Sequence, residues 1–398
     1  MTAFDPTTAT NAYLAALPPA GHLKAIHYTQ GGHWVLLWGW LVSVAAAVLI
    51  LRSGVLKQLS QRIDGARRRP LAASAAVALV FLMLDWLLTL PWSAYADWWR
   101  QKQYGLTSQS FPGWLSEAAM AGVISTLGLG LFIVVLYALI RRAPRSWWAW
   151  ATGVAVVFIV LALLIAPILI EPLFNTFTPA PPGPVRDQVI ALARKAHVPY
   201  DKIYIYNGSK QSNRYTANVG GLFGSARVAM SDVMFKKGAD LAEVRGVMGH
   251  EMGHYARAHV IWSALWDAIV ALLAFGLMQL VFPGVARLLG ADADGINDPA
   301  GLPVLMIIFA TFQLLITPLD NTVTRWQEAD ADRFSLEVAN EPDGLAKALV
   351  KTIEYRADSP SAIEEFLFYD HPSVRRRVQR AMDWKAAHMT DGAGEAPH

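Results

Sequence analysis

An α-helical polytopic membrane protein carrying a metal-binding α+β domain is the fold class that the sequence predicts, and three observations predict it. The chain of 398 residues is 54% hydrophobic and 16% charged, with 15 Trp, and its mean hydropathy is +0.31. Six segments, about 34–51, 71–90, 119–140, 149–170, 260–282 and 302–319, are apolar enough to cross roughly 30 Å of hydrocarbon. A polar stretch between the fourth and fifth ends in His250-Glu251-Met252-Gly253-His254.

The elements follow in chain order. From Met1 to about Thr29 no basic region leads into an apolar stretch, so no cleaved signal peptide is expected. Tryptophans gather at segment ends (Trp34, Trp92, Trp98, Trp99, Trp147, Trp148), where interfacial anchors belong. Asp85 and Asp267, within spanning segments, are expected to face protein or water, most simply in an interhelical hydrogen bond. The polar stretch, about 171–259, opens with a helix-breaking joint, Pro179-Ala180-Pro181-Pro182-Gly183-Pro184. Residues 184–196 then read as an amphipathic helix; Lys202 to Tyr206 and Ala226 to Met230 read as short strands, with a Gly- and Asn-rich turn, Asn213 to Gly224, between them. A helix beginning near Asp240 carries the two histidines. Asp292-Ala293-Asp294-Gly295 faintly resembles a calcium loop but lacks the completed ligand spacing, and reads as a solvated turn. The chain thus divides into 1–170, a membrane region with four spans, and 171–385, a metal-binding domain that includes the last two; 386–398 reads as a disordered tail.

Residues four apart share one face of a helix, so His250 and His254 can grip one metal ion, with Glu251 close enough to polarise a water held there. Two imidazoles leave tetrahedral zinc one protein ligand and one water short. Cysteine is absent, so that ligand must be a histidine or a carboxylate. Glu328 is the candidate: two membrane crossings separate it from His254, and an even number returns the chain to the side it left. Asp332, one turn beyond Glu328, is placed to accept the free ring N–H of a ligating histidine. One zinc ion per chain, with Glu251 as general base, is the chemistry expected. A tetrahedral intermediate also needs an oxyanion donor, for which His371 is the best remaining candidate, with Arg377 further along. Holding a peptide extended needs an exposed strand, for which Asn213 and Arg227 to Met230 are suited.

These residues, in this order, resemble the type I CAAX prenyl endopeptidases, the integral-membrane zinc proteases of the sterile-mating type. The resemblance spans about residues 70–385 and includes Leu90-Pro91-Trp92-Ser93, Tyr104-Gly105, Ile165-Ala166-Pro167, Pro172-Leu173-Phe174-Asn175, Gly208-Ser209-Lys210, Ser212-Asn213, Glu328 with Ala331-Asp332, and His371-Pro372. It implies a barrel of tilted helices around a chamber, capped by a zincin-like α+β domain. It also implies zinc on His250, His254 and Glu328, Glu251 as base, and Asn213, His371 and Arg377 as substrate and transition-state contacts. Family members cut near the C-terminus of a prenylated protein. The family commonly has seven spans where this chain shows six, and Arg214 intervenes where Ala-Tyr often follows the Asn.

The partners expected are a peptide or protein substrate, lipidated or not, and the bilayer. A net charge of +3 gives no reason to expect nucleic acid. Ala- and Arg-rich composition points to a bacterial inner membrane. Arg52, Lys57, Arg62, Arg67, Arg68, Arg69, Arg141, Arg142 and Arg145 lie on the face away from the metal motif, which by the positive-inside rule would be cytoplasmic. The resemblance puts the zinc site in the cytoplasm instead, and basic flanks at Arg257, Arg325 and Arg333 favour that choice. A heat-shock-type quality-control protease shares the three-ligand pattern, and a non-catalytic transporter or scaffold with structural histidines is the alternative from another class.

Overall fold

The computed structural model describes residues 4–65, 68–212, 216–221, 226–235 and 240–389. Helix α1 (Pro6–Ala15) starts on an Asp5 carboxylate cap and precedes α2 (Pro19–Ser53), which closes on Gly54. A short α3 (Val55–Asp64) leads to α4 (Pro70–Ser93), continued by a π-helical turn, Ala94–Trp99, into α5 (Arg100–Gln103). Next come α6 (Phe111–Arg142) and α7 (Trp147–Ile165), the latter running through a second π turn, Ala166–Ile170, into α8 (Glu171–Phe174).

The polar stretch holds β1 (Phe177–Pro179), α9 (Pro184–Lys195), β2 (Ile203–Tyr206), β3 (Ala217–Gly220), β4 (Arg227–Ser231) and α10 (Leu241–Ala256). Two long helices, α11 (His259–Leu289) and α12 (Leu302–Ala339), return to the membrane, and α13 (Pro342–Lys351), α14 (Ala362–Phe368) and α15 (Val374–Met389) complete the chain. Thus α15 takes in the first residues of the expected tail; 390–398 lie outside the described residues.

Six helices are long and apolar enough to cross a membrane. They touch in the order α2, α4, α6, α7, α11, α12 and back to α2, a closed ring. Burial along them is uneven. A core of Ile50, Val77, Phe81, Tyr137, Trp147, Phe282 and Leu305 seals the end away from the metal motif. Nearer that motif, residues 111–132 of α6 and 152–165 of α7 contribute no buried side chain, so the ring is hollow there. The sealed end is tied by Lys57, which donates to Asp294 at 2.8 Å and Asp298 at 3.0 Å. An ammonium therefore sits among the aspartates of the calcium-like loop.

Two expectations are corrected. Neither Asp85 nor Asp267 is hydrogen-bonded through its carboxylate to any described residue; α11 and α12 are joined instead by bonds such as that from Trp266 Nε1 to Asp320, at 2.8 Å, and that between Ser263 and Gln327. The region expected as one long turn contains a strand, Ala217–Gly220, because β4 offers it an antiparallel edge.

The sheet has the order β1-β2-β4-β3, with β2 and β4 parallel and the outer pairs antiparallel. It packs with α9 and α10 over Val189, Val228, Met230, Met248 and Met252. A third core joins the two ends of the chain: Leu14 and Ala25 pack with Leu345, Val374, Val378 and Met382.

Candidate metal centre

The site is built where α10 lies against the end of α12 that leaves the membrane. Gly249 and Gly253 form the face of α10 that meets α12, while Gly246 lies against α13, where a Cβ would stand 2.9 Å from the Leu345 Cα. A Cβ at Gly249 would stand 3.2 Å from the Ser335 Cα, and one at Gly253 would stand 3.0 Å from the Ala331 Cα. Ser335 pins the contact by donating to the Gly246 carbonyl at 2.7 Å. This close approach brings His250 and His254, one residue past Gly249 and Gly253 respectively, against Glu328.

The donor atoms of His250, His254 and Glu328 all lie within 4.8 Å of one another. The two Nε2 atoms are 3.2 Å apart; Glu328 Oε2 is 3.2 Å from His250 Nε2 and Oε1 is 3.3 Å from His254 Nε2. Donors about 2.0–2.2 Å from a tetrahedral zinc stand roughly 3.3–3.6 Å apart, so the three groups fit such an ion. Glu328 Oε2 is also buried without accepting a hydrogen bond, although His250 and His371 nitrogens are 3.2 Å away. Burial works against a charged His250, yet Glu328 and Asp332 outweigh it and push His250 up to about 10. Such a cluster calls for a cation.

Each histidine is held from behind. His250 Nδ1 faces Asp332 Oδ1 at 3.0 Å, and Asp332, 1% exposed, accepts from Arg377 Nε at 2.8 Å and Nη2 at 2.7 Å. Arg377 also stands 3.5 Å from Glu328 Oε2. His254 Nδ1 meets His259 Nδ1 at 3.0 Å, and His259 Nε2 lies 3.3 Å from Asp330 Oδ2. The turn that returns His259 beneath His254 passes through Ala258 at φ 54°, a left-handed conformation that costs a non-glycine residue about 1 kcal/mol. Strain of this kind collects at functional sites.

Glu251, raised above the usual carboxyl range by burial, lines a 160 Å³ cavity with Glu328, His371 and Arg377. His371 directs Nε2 toward Glu328 and Nδ1 to Asp370, 2.8 Å away; burial holds its imidazole below the ordinary value. On the other side, a 480 Å³ cavity runs from His254 along β3 to Glu171 and Arg227, which form an ion pair.

The structure thus brings together His250, Glu251, His254, Glu328, Asp332, His371 and Arg377. Asn213 lies outside the described residues. The strand expected to pair with a peptide is corrected: β4 is hydrogen-bonded on both sides, to β2 and β3, so its main chain is already used. The open edge beside the metal ligands is that of β3. His259 and Asp330 went unnoticed in the sequence, although a third histidine five residues after His254 was a visible signal.

Comparison with known proteins agrees with this geometry. Peptidase family M48 matches residues 179–385, and the CAAX prenyl protease N-terminal family, five membrane helices, matches 8–176, a stretch holding four of the six long helices here. The chain is 29% identical to an uncharacterized metalloprotease of Bacillus subtilis, YhfN, covering 84% of this chain and 79% of that one. It is 24% identical to the CAAX prenyl protease 1 homolog of Homo sapiens, covering 86% and 82%. Its fold superposes on the crystal structure of S. mikatae Ste24p with a TM-score of 0.74 at 20% identity, covering 95% of each chain.

Proposed function

Since the chain belongs to peptidase family M48 and is a membrane metalloprotease, we propose that it is a zinc endopeptidase cutting near the C-terminus of an apolar or prenylated peptide. The convergence of two imidazoles and the Glu328 carboxylate, at the mouth of a hollow helical ring, carries this reading.

Zinc on His250, His254 and Glu328 would acidify a water and polarise the scissile carbonyl. Glu251 takes the water proton and returns it to the leaving amine; its raised affinity for a proton suits the base that must later act as acid. Asp332, clamped by Arg377, fixes the ring of His250, and His259 with Asp330 does the same for His254. Protonated as an imidazolium with Nδ1 on Asp370, His371 would donate from Nε2 to the developing oxyanion, and Arg377, in the wall of the same cavity, adds positive charge. The substrate main chain pairs with the open edge of β3, and Asn213 is assigned to hold it as well.

The resemblance to YhfN supports a bacterial inner-membrane location, and the basic flanks at Arg257, Arg325 and Arg333 support a cytoplasmic site. A reporter fused after His398 that works only outside the cytoplasm would reverse that orientation.

The test of the chemistry is Glu251→Gln, which should keep the metal and lose at least about 100-fold in kcat. Unchanged turnover would discard the mechanism. A panel of peptides with and without a C-terminal lipid, read by mass spectrometry, locates the bond cut and the need for the lipid.

A further inference from the structure

Arg100, the first residue of α5, is 6% exposed, and no described carboxylate lies within ion-pair distance of it. Its guanidinium donates to the Tyr28 carbonyl and lies 4.0 Å over the Tyr28 ring. These partners are neutral, and a buried charge with no counter-ion is among the most unfavourable groups a fold can contain. On the α2 side it faces Gly31 and Gly32, whose missing Cβ atoms would stand 3.4 Å and 3.7 Å from Nη2. No side chain from that pair covers the charge.

Arg100 opens into a 330 Å³ cavity distinct from the two beside the metal ligands. Arg356 stands in its wall, 3.4 Å from Asp370, a carboxylate that is 57% exposed and shared with His371. His33, also in the wall, has a buried Nε2 with no hydrogen bond, 3.8 Å from the Glu364 carboxylate. Among the described residues, two guanidiniums therefore face one divided carboxylate, Asp370, in the lining of this cavity.

Position identifies the missing anion. Tyr355 and Arg356 line both this cavity and the one containing Glu251. Asn321 in its wall precedes Glu328 by seven helical residues, about 10 Å, which a few residues of extended chain cover. A peptide cut at the metal ligands can therefore reach Arg100 with its end.

We propose that this cavity binds the free α-carboxylate of the substrate's C-terminal residue, with Arg100 as its principal partner and Arg356 as the second. The inference rests on the peptidase reading above and deepens it by naming the two side chains that would recognise the substrate's terminal charge. A membrane phosphate is the competing occupant; the wall shared with the catalytic cavity favours the peptide.

Matched apolar peptides ending in a free carboxylate or a carboxamide test it, with kcat/KM measured for the full-length wild-type protein, Arg100→Gln and Arg356→Gln. Wild type should prefer the acid by about 10- to 100-fold, the range of one charge-assisted contact. Arg100→Gln should remove the preference by losing the acid while still cutting the amide, which also shows that the variant folds. If it does not fold, Arg356→Gln should show the same selective loss to a smaller degree. Equal cleavage of acid and amide by wild type overturns the carboxylate site and leaves the peptidase reading standing. An equal loss of both substrates in a folded Arg100→Gln shows a purely structural arginine and also overturns it. Should wild type cut neither peptide, nor their prenylated counterparts, the peptidase reading fails. The dissociation constants of the two peptides for Glu251→Gln protein then decide: tighter acid binding supports the site, and equal values overturn it. Binding of phosphatidylglycerol vesicles that is lost in Arg100→Gln, with acid and amide equivalent, assigns the cavity to lipid.

Discussion

Replacing Asp332 by Asn separates what holds the metal centre from what holds the fold. The carboxylate is 1% exposed, accepts two hydrogen bonds from Arg377 at 2.7 and 2.8 Å, and faces His250 Nδ1 at 3.0 Å. An amide has nearly the same shape but no charge, so Arg377 is left buried without its nearest counter-ion. Breaking a buried pair in this way destabilises by about 3–5 kcal/mol. The outer partner of His250 is weakened as well, for which metal affinity falls about 10- to 100-fold, or roughly 1.4–2.8 kcal/mol. Pairing the change with Arg377→Met removes the orphaned charge, so stability should largely return while metal affinity stays low. Competition with a chromophoric chelator measures the affinity, and thermal unfolding in detergent measures the stability. Full recovery of metal affinity in the double variant would refute the idea that Asp332 orients His250, and so would unchanged affinity in the single variant.

Other outcomes follow from neighbouring contacts. His259→Ala should weaken metal binding by about 10-fold or more, because it cuts the link from His254 to Asp330; unchanged affinity removes that link from the site. Gly249→Ala should destabilise by about 1–3 kcal/mol, since the new Cβ meets Ser335 Oγ at 2.8 Å and backbone at 3.2 Å; an unaltered melting temperature would mean that α10 and α12 separate freely. Asp343 couples α1 to the C-terminal helices: burial pushes its carboxyl up, but Lys385 and the Tyr13 hydroxyl outweigh it and hold it below the ordinary value. A lowered folded-state value stabilises above the unfolded one, about 3.9, and that gain is lost as pH falls through the folded value. The protection of the amides of residues 6–15, taken relative to their intrinsic exchange rates, should therefore fall below about pH 4, and protection constant across that range would rule the contact out as a tether.

Short-range rules made the centre of the site readable. Residues four apart on one helix must share a face, so His250 and His254 were visible as a pair, and the parity of membrane crossings brought Glu328 to their side. The capped start of α10 at Asp240 was readable for the same reason: a side chain and a main-chain N–H two residues apart suffice. Beyond that range the signals fade. Four residues of which two are Asn218 and Gly220 do not announce β3; its identity depends on β4 lying alongside. His259 went unnoticed, because only the left-handed turn at Ala258 carries it back under His254. Nothing in the sequence singles out Arg100, because its burial without a carboxylate partner among the described residues is a tertiary fact. So is the closure of the ring, since no local pattern says that α12 meets α2.

The union of the first helix with the last bears on how such a protease is made. Leu14 and Ala25 complete a nucleus whose other members extend to Met382. Everything as far as Met382 must leave the ribosome before Leu14 finds its place. Until then the layer bearing His250 and Glu328 lacks its final brace, and a half-synthesised chain is poorly equipped to cut its neighbours in the translocation machinery. For the same reason the segment from 179 onward, expressed by itself, would expose the apolar seat of Leu14 and lack a walled compartment in which to work.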